Sequence, residues 1–430
     1  VIPALRRCAA ARLLPLLLVV AAGVVLSRGT PWLGEPSWTV ARIAGSVIIL
    51  GPVVAGLAAM DAARWNEEQL TATLRALPRS AVARWHVVLA NAAVGVAVLL
   101  VVQAAGYAAN VAVGVGYVAS PGSALLLVLG GGAVLVGSAA VGALVGLLWG
   151  SVLAAPLAAA GLYGLALLAL SLDVPALFAV IGGANGMVGL RAATSAFVAL
   201  VGFHLFLTVA VLAAYTLRDG VVRRRVAGPV LGAGTAGAVA VAAVLVVTDP
   251  DQVVIDDRPV AWTCAGTEPR VCLPRESPRQ LDWLAAEMHE LAEPLVAAGA
   301  TVPATYRLEV PGQRRDLAEG SFAPLDTGRL TRPAGDPQEV AVYLSTPAPC
   351  AAYSDPSGPP PAIVHETREV LRVWLLVRNG LADPADFRTA GFGPWLAAPL
   401  EEQESWVRTT YEQLRSCELD RLTPPVAPAG

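Results

Sequence analysis

Two short stretches carry the residue types of a metal-dependent hydrolase, His289-Glu290 in HELAE and His365-Glu366 in HETRE. In the zinc-peptidase motif a second histidine stands four residues after the first, so that two imidazoles on one helix face bind one metal. Here those positions hold Glu293 and Glu369, and no further histidine lies in this half of the chain. The spacing therefore predicts solvated helix faces rather than a catalytic zinc. No G-x-S-x-G elbow exists, and Ser321 in EGSFAP lacks the flanking glycines. All 30 basic residues are arginine, which excludes Schiff-base lysines, a Ser-Lys dyad and the phosphate-holding lysine of a P-loop. The cluster Gly182-Gly183-Ala184-Asn185-Gly186, with Gly189, is not G-x-G-x-x-G and lies between apolar runs, so it reads as a turn or re-entrant hairpin. No catalytic residue, cofactor or metal ligand is expected.

The elements that would position any chemistry are mostly apolar. A mean hydropathy of +0.60, with 55% hydrophobic and 15% charged residues, exceeds what a soluble domain of about 25% charged residues carries. Crossing about 30 Å of hydrocarbon takes about 20 apolar residues. Seven such runs are legible, at 11–28, 43–60, 86–108, 123–149, 152–172, 195–217 and 227–248. The first also has the layout of a signal peptide, with Arg6, Arg7 and Arg12 ahead of a Leu/Val run. The expected fold is a membrane all-α bundle of about seven transmembrane helices over residues 1–248, followed by a soluble α+β domain over 249–430.

Arginine placement orients the bundle. With the N-terminus in the cytoplasm, the inner segments 1–12, 61–85 and 217–226 carry eleven arginines and the outer ones three, Arg28, Arg42 and Arg191. This puts 249–430 outside the cell membrane. The net charge of -3 is the sum of two opposed halves: fourteen arginines against six acids before residue 249, and sixteen against twenty-seven after it. No nucleic-acid partner is expected. Cys264, Cys272, Cys350 and Cys417 all fall in the outer domain, an even number in an oxidising setting. Of three possible pairings, the favoured one joins Cys264 to Cys272 and Cys350 to Cys417. Within this domain, Ser277, Pro278 and Gln280 read as a capping box opening a helix that Gly299 ends. Strands are expected at 304–310 and at 339–345, the alternating EVAVYLS, with helices at 362–378 and 400–419.

Inside the bundle, His204 and Gln103 are the main polar candidates, and a lone intramembrane histidine is most simply a hydrogen-bonded packing residue. Ser138, Gly142, Gly146 and Gly150 recur every four residues and line one helix face, a small-xxx-small pattern for a close helix pair within the bundle or across a dimer. The inner segment 61–85 is amphipathic: Leu70, Leu74 and Leu77 give an apolar side, Arg64, Glu67, Glu68 and Arg75 supply charge, and Trp65 and Trp85 suit an interface.

Taken together, the basic start at 1–12, the segment 61–85 with its TLRALPRS between the second and third spans, and 173–194 with Gly182, Gly183 and Gly186 between the fifth and sixth resemble the permease subunits of ABC-2-type transporters. The match covers residues 1–226. The resemblance implies a dimer of bundles in the lipid membrane. It also implies a cytoplasmic ATPase on a separate chain, docked on Trp65, Leu70, Leu74, Arg75, Leu77 and Arg79. The seventh span and the outer domain depart from the six-span pattern, so the added domain is expected to sense, capture or process something outside.

Overall fold

The computed structural model describes residues 8–27, 29–30, 32–68, 80–171, 177–180, 186–217, 221–248, 251–278, 280–313, 316, 318–322, 336–348, 362–387, 391–423 and 425. Two compact units emerge, Val1–Asp256 and Asp257–Gly430. The composition changes at residue 249, but Val253–Ile255 stays with the first unit because it pairs with a strand there.

The first unit is a bundle of long apolar helices. In order they are α1 (Ala9–Arg12), α2 (Leu14–Leu26), α3 (Pro36–Gly45), α4 (Val47–Glu68), α5 (Ser80–Ala112), α6 (Pro121–Trp149) and α7 (Ala154–Ser171). Strand β1 (Leu190–Ala192), α8 (Thr194–Leu217), α9 (Val221–Thr248) and strand β2 (Val253–Ile255) complete it. Among the described residues six helical stretches are long and apolar enough to cross a membrane, where the sequence predicts seven. The expected first span is the exception. Its helix breaks at Leu13, Pro15 opens a new first turn, and α2 runs for only 13 residues. At 1.5 Å per residue that is about 20 Å, too short for the hydrocarbon layer. The second span starts earlier than the hydropathy alone implies. Pro36 opens α3, and α3 and α4 follow one another through Ser46, whose hydroxyl donates to the Ile43 carbonyl at 2.7 Å. β1 and β2 pair antiparallel, Arg191 opposite Val254. Helix α4 packs on α1, α2, α3, α5, α6 and α7 and is the hub of the unit.

The second unit is α+β. Strands β3 (Trp262–Ala265), β4 (Arg270–Pro274), β5 (Thr305–Leu308) and β6 (Gly320–Phe322) form one sheet in that order. β3 and β4 are antiparallel, whereas β4–β5 and β5–β6 are parallel. The helices are α10 (Leu281–Ala297), α11 (Pro337–Leu344), α12 (Ala362–Arg378), α13 (Gly393–Leu396) and α14 (Leu400–Arg415). The crossover α10 buries Leu284, Met288, Leu291 and Leu295 at 3–4 spacing. It starts three residues later than a cap at Ser277 would place it. Gln280 adopts a left-handed φ of 72° and the chain turns through Pro278 first. Gly299, at φ 79°, follows its end.

The strand expected at 339–345 is instead α11. The side chain of Asp336 accepts from the Gln338 amide at 3.1 Å and Pro337 takes the first turn. A capped helix start thus outweighs the apolar alternation of EVAVYLS, and Val340, Ala341 and Leu344 still reach the core. Helix α12 coincides with the expected 362–378, with Gly380 at φ 69° just beyond it. Trp374 on its inner face is fully buried, its indole N–H donating to Gln403 Oε1 at 3.0 Å. α14 ends at Arg415, short of 419, because Cys417 adopts a φ of 58°.

Candidate functional site

Two networks of polar side chains brace the bundle. Toward the C-terminal end of α4, Asp61 is buried, and its Oδ2 accepts from the backbone amide of Ala9 at 2.8 Å and from the Asn91 amide group at 2.9 Å. Asn91 Oδ1 in turn accepts from the Ala10 amide at 3.2 Å. Two side chains therefore satisfy the first amides of α1, which have no partner within their own helix. They also tie α1 to α4 and α5, the two helices that flank residues 69–79. Trp85, on α5, donates its indole N–H to the Leu212 carbonyl of α8 at 3.2 Å.

A second network closes the other end. Asn110 bridges the Gly34 amide at 2.7 Å, the Thr39 hydroxyl at 2.7 Å and the Gly106 carbonyl at 2.9 Å. The buried Glu35 carboxylate accepts from the Met187 amide. Gly186, at φ 133°, lies against that carboxylate, where a Cβ would come within 3.2 Å of Glu35 Oε2. The chain after the glycine cluster is thereby fastened to the start of α3.

Between these ends the small-residue face of α6 lies on α4. A Cβ on Gly142 would strike the Ala55 carbonyl, and one on Gly146 would strike that of Ala59. Ser138 faces Gly51, whose Cβ would stand 2.9 Å from the serine Oγ. Gly51, Ala55 and Ala59 repeat every four residues, so the two helices mesh two small stripes at backbone contact. Gly150 does not share this role. It terminates α6 in the left-handed conformation, φ 60°, its amide donating to the Gly146 carbonyl.

His204 is buried on α8. Its Nε2 lies 2.7 Å from the Leu177 carbonyl, which can only accept, so that nitrogen carries a proton. Nδ1 has no partner among the described residues and faces the notch left by Gly137. Phe178 and Phe203 pack edge-on against the ring. Gln103 donates to the Val40 carbonyl at 3.0 Å on a different pair of helices. These two polar residues serve separate contacts.

In the second unit, His289 bonds through Nδ1 to the Glu268 carbonyl at 2.7 Å, and its helix partners Glu290 and Glu293 are exposed. Ser321 donates to Glu309 at 2.9 Å. Cys264 and Cys272 are opposite one another in the β3–β4 register and are joined as a disulfide. Cys417 is also disulfide-bonded, while its expected partner Cys350 lies outside the described residues. His365 and Glu369, one turn apart, line a cleft of about 470 Å³ between α11 and α12, together with Asp336, Gln338, Glu339, Val342, Ser345, Arg368 and Arg372. Arg372 clasps Glu369 with two bonds of 2.8 and 2.6 Å, and this holds the Glu369 carboxyl below its ordinary range. Among the described residues no three His, Cys, Asp or Glu side chains converge as a metal site would require.

Leu70, Leu74, Arg75, Leu77 and Arg79, like Gly182 and Gly183, lie outside the described residues, as does the side chain of Trp65. Asp61, Asn91, Glu35 and Asn110 were not singled out by spacing. Their signal was a lone polar residue at the edge of an apolar run. Comparison with protein-family models, curated proteins and solved structures returns no match.

Proposed function

We propose that the chain is the membrane subunit of an ATP-driven, ABC-2-type transporter whose ATPase is a separate cytoplasmic protein docked on residues 61–85. The observation that carries this reading is the clamp at Asp61 and Asn91. It binds the N-terminal helix to the ends of α4 and α5 between which the docking segment is strung. A push on that segment is delivered first to α4, the helix on which six others pack among the described residues. A rigid base of this kind is what an external motor needs, because packed helices pass on a displacement as a body. His204, buried among aromatic rings, offers no second ionisable partner for an ion-coupled cycle among the described residues. In this reading the N-terminus faces the cytoplasm, the second unit lies outside, and two bundles pair in the membrane around the substrate path.

The test is co-purification from native membranes in mild detergent. A nucleotide-hydrolysing subunit should accompany the tagged chain, and its absence at every salt concentration tried sinks the proposal. The cleft between α11 and α12 favours a second reading, a membrane-anchored binding or sensing protein. Deletion of residues 257–430 separates the two, since a transport core retains its ATPase without the outer unit.

A further inference from the structure

Between α7 and α8 the chain returns into the bundle without forming a helix. Leu177–Val180 is turn and irregular backbone, yet Phe178, Ala179 and Val180 are buried. The Leu177 carbonyl accepts from Nε2 of His204 at 2.7 Å, and His204 stands ten residues beyond Thr194, the start of α8. At 1.5 Å per residue that contact lies about 15 Å along α8, near the middle of a helix of 24 residues. Phe178 packs edge-on against Phe203 and His204 at this depth. Val180 meets the end of α3, its carbonyl oxygen 3.3 Å from where a Cβ on Gly45 would stand. Non-helical backbone at membrane depth must find its donors in the protein, because lipid supplies none. Two side chains provide them here, His204 for Leu177 and Gln252 for Ala179, the second at 3.3 Å.

Gln252 opens the strand that follows the last span. β2 pairs with β1, and the ladder continues at both ends: the Ala193 amide donates to the Gln252 carbonyl at 2.9 Å, and the Asp256 amide to the Gly189 carbonyl at 2.8 Å. β1 is itself fixed to the bundle, since the Ala192 amide donates to Ser123 Oγ on α6 at 2.7 Å. Leu190 and Val253 pack against the bundle core. Residues 252–256 are thus bonded to the later part of the returning chain through the ladder and to its buried part through the Gln252 side chain. We propose that residues 252–256 are a strap that keeps Leu177–Val180 seated in the bundle, a closure that loosens when the strap lifts from β1. The second unit begins at the next residue, Asp257, so the strap is also the stretch by which the chain leaves the bundle.

The test is hydrogen–deuterium exchange of the full chain in lipid nanodiscs, read on the peptide that covers Leu177–Val180. Gln252→Leu removes the donor to Ala179 and should speed exchange of that peptide about tenfold, the effect of leaving one buried acceptor unpaired. Leu190 and Ile255 are partners between hydrogen-bonded pairs of the ladder. Cα atoms of such partners stand about 4.5 Å apart, within reach of a disulfide. Leu190→Cys and Ile255→Cys, added to Gln252→Leu, should restore the slow rate when oxidised and release it when reduced. The unaltered chain under the same reductant is the control. Unchanged exchange over Pro121–Trp149 shows that the bundle stays folded. Should Gln252→Leu unfold it, the cysteine pair alone decides, exchanging more slowly oxidised than reduced. Exchange at 177–180 that neither change moves overturns the proposal. So does a faster rate in Gln252→Leu that the oxidised pair leaves as it is, because Gln252 then acts on Ala179 without the strap. Exchange is read whether or not an ATPase accompanies the chain.

Discussion

Replacing Gly142 by alanine drives a methyl group into the backbone of α4. Its Cβ would overlap the Ala55 carbonyl oxygen and stand 2.6 Å from the Ala55 Cα. Carbon atoms in contact prefer about 3.5–4.0 Å, so the helices must part by about 1 Å at this level. No flexible side chain can yield, because the obstructing atoms are backbone. Overpacking of this kind costs about 1–3 kcal/mol, and the upper end applies where the stripe is meshed on both sides, with Gly146 meeting Ala59 and Gly51 meeting Ser138. For a unit of this size about 3 kcal/mol lowers the melting temperature by about 6–12 °C. The assay is thermal unfolding in detergent, followed by tryptophan fluorescence. The control is Gly161→Ala on α7, where a Cβ meets nothing within 4 Å, and where the shift should stay within about 2 °C. Gly142→Ala melting within the range of that control would refute backbone contact between α4 and α6.

Asp61→Ala removes the acceptor of the Ala9 and Asn91 donors, at a cost of about 1–3 kcal/mol. The buried Cys8 thiol beside them should then react faster with a maleimide, read by mass spectrometry at Cys8. The phenols of Tyr306 and Tyr411 share a 3.0 Å bond in the core of the second unit, and burial holds both pKa values above the ordinary phenol range. Either single change to phenylalanine should cost about 1–2 kcal/mol, and the double change less than the sum of the two, as measured by a double-mutant cycle in denaturant. Glu369, held low by its bonds from Arg372, has a folded pKa below its unfolded one. Its stabilisation is therefore complete above the ordinary carboxylate range and is lost as pH falls through the folded value. The pair is partly exposed, so the effect is about 0.5 kcal/mol. Glu369→Gln should flatten that part of the stability–pH curve.

Much of this organisation can be read from residue types because the strongest signals are physical constraints on long segments. Apolar length predicts the spanning helices, and the four-residue spacing of Ser138, Gly142 and Gly146 singles out the face that meets α4. It does not say which helix lies opposite. That choice depends on the matching stripe Gly51, Ala55 and Ala59, which is diluted among other small residues of the same run. The alternation of EVAVYLS misleads because a period of two over seven residues also leaves apolar side chains at helical spacing. The cap at Asp336-Pro337 then decides the outcome. The clamp and the cleft were illegible for a different reason. Asp61, Asn91 and Ala9, like Glu339 and Arg372, are far apart in sequence, and only the packing of their helices brings them together.

The most direct test of the transport reading is the ATP hydrolysis that accompanies the tagged full-length chain extracted from its native membrane. It is compared with a variant carrying Leu70→Ser, Leu74→Ser and Leu77→Ser. The unaltered chain should bring down a hydrolase whose activity is lost from the variant, while the membrane level and melting of the variant stay unchanged. Equal activity in both samples, or none in either, would contradict a docked ATPase.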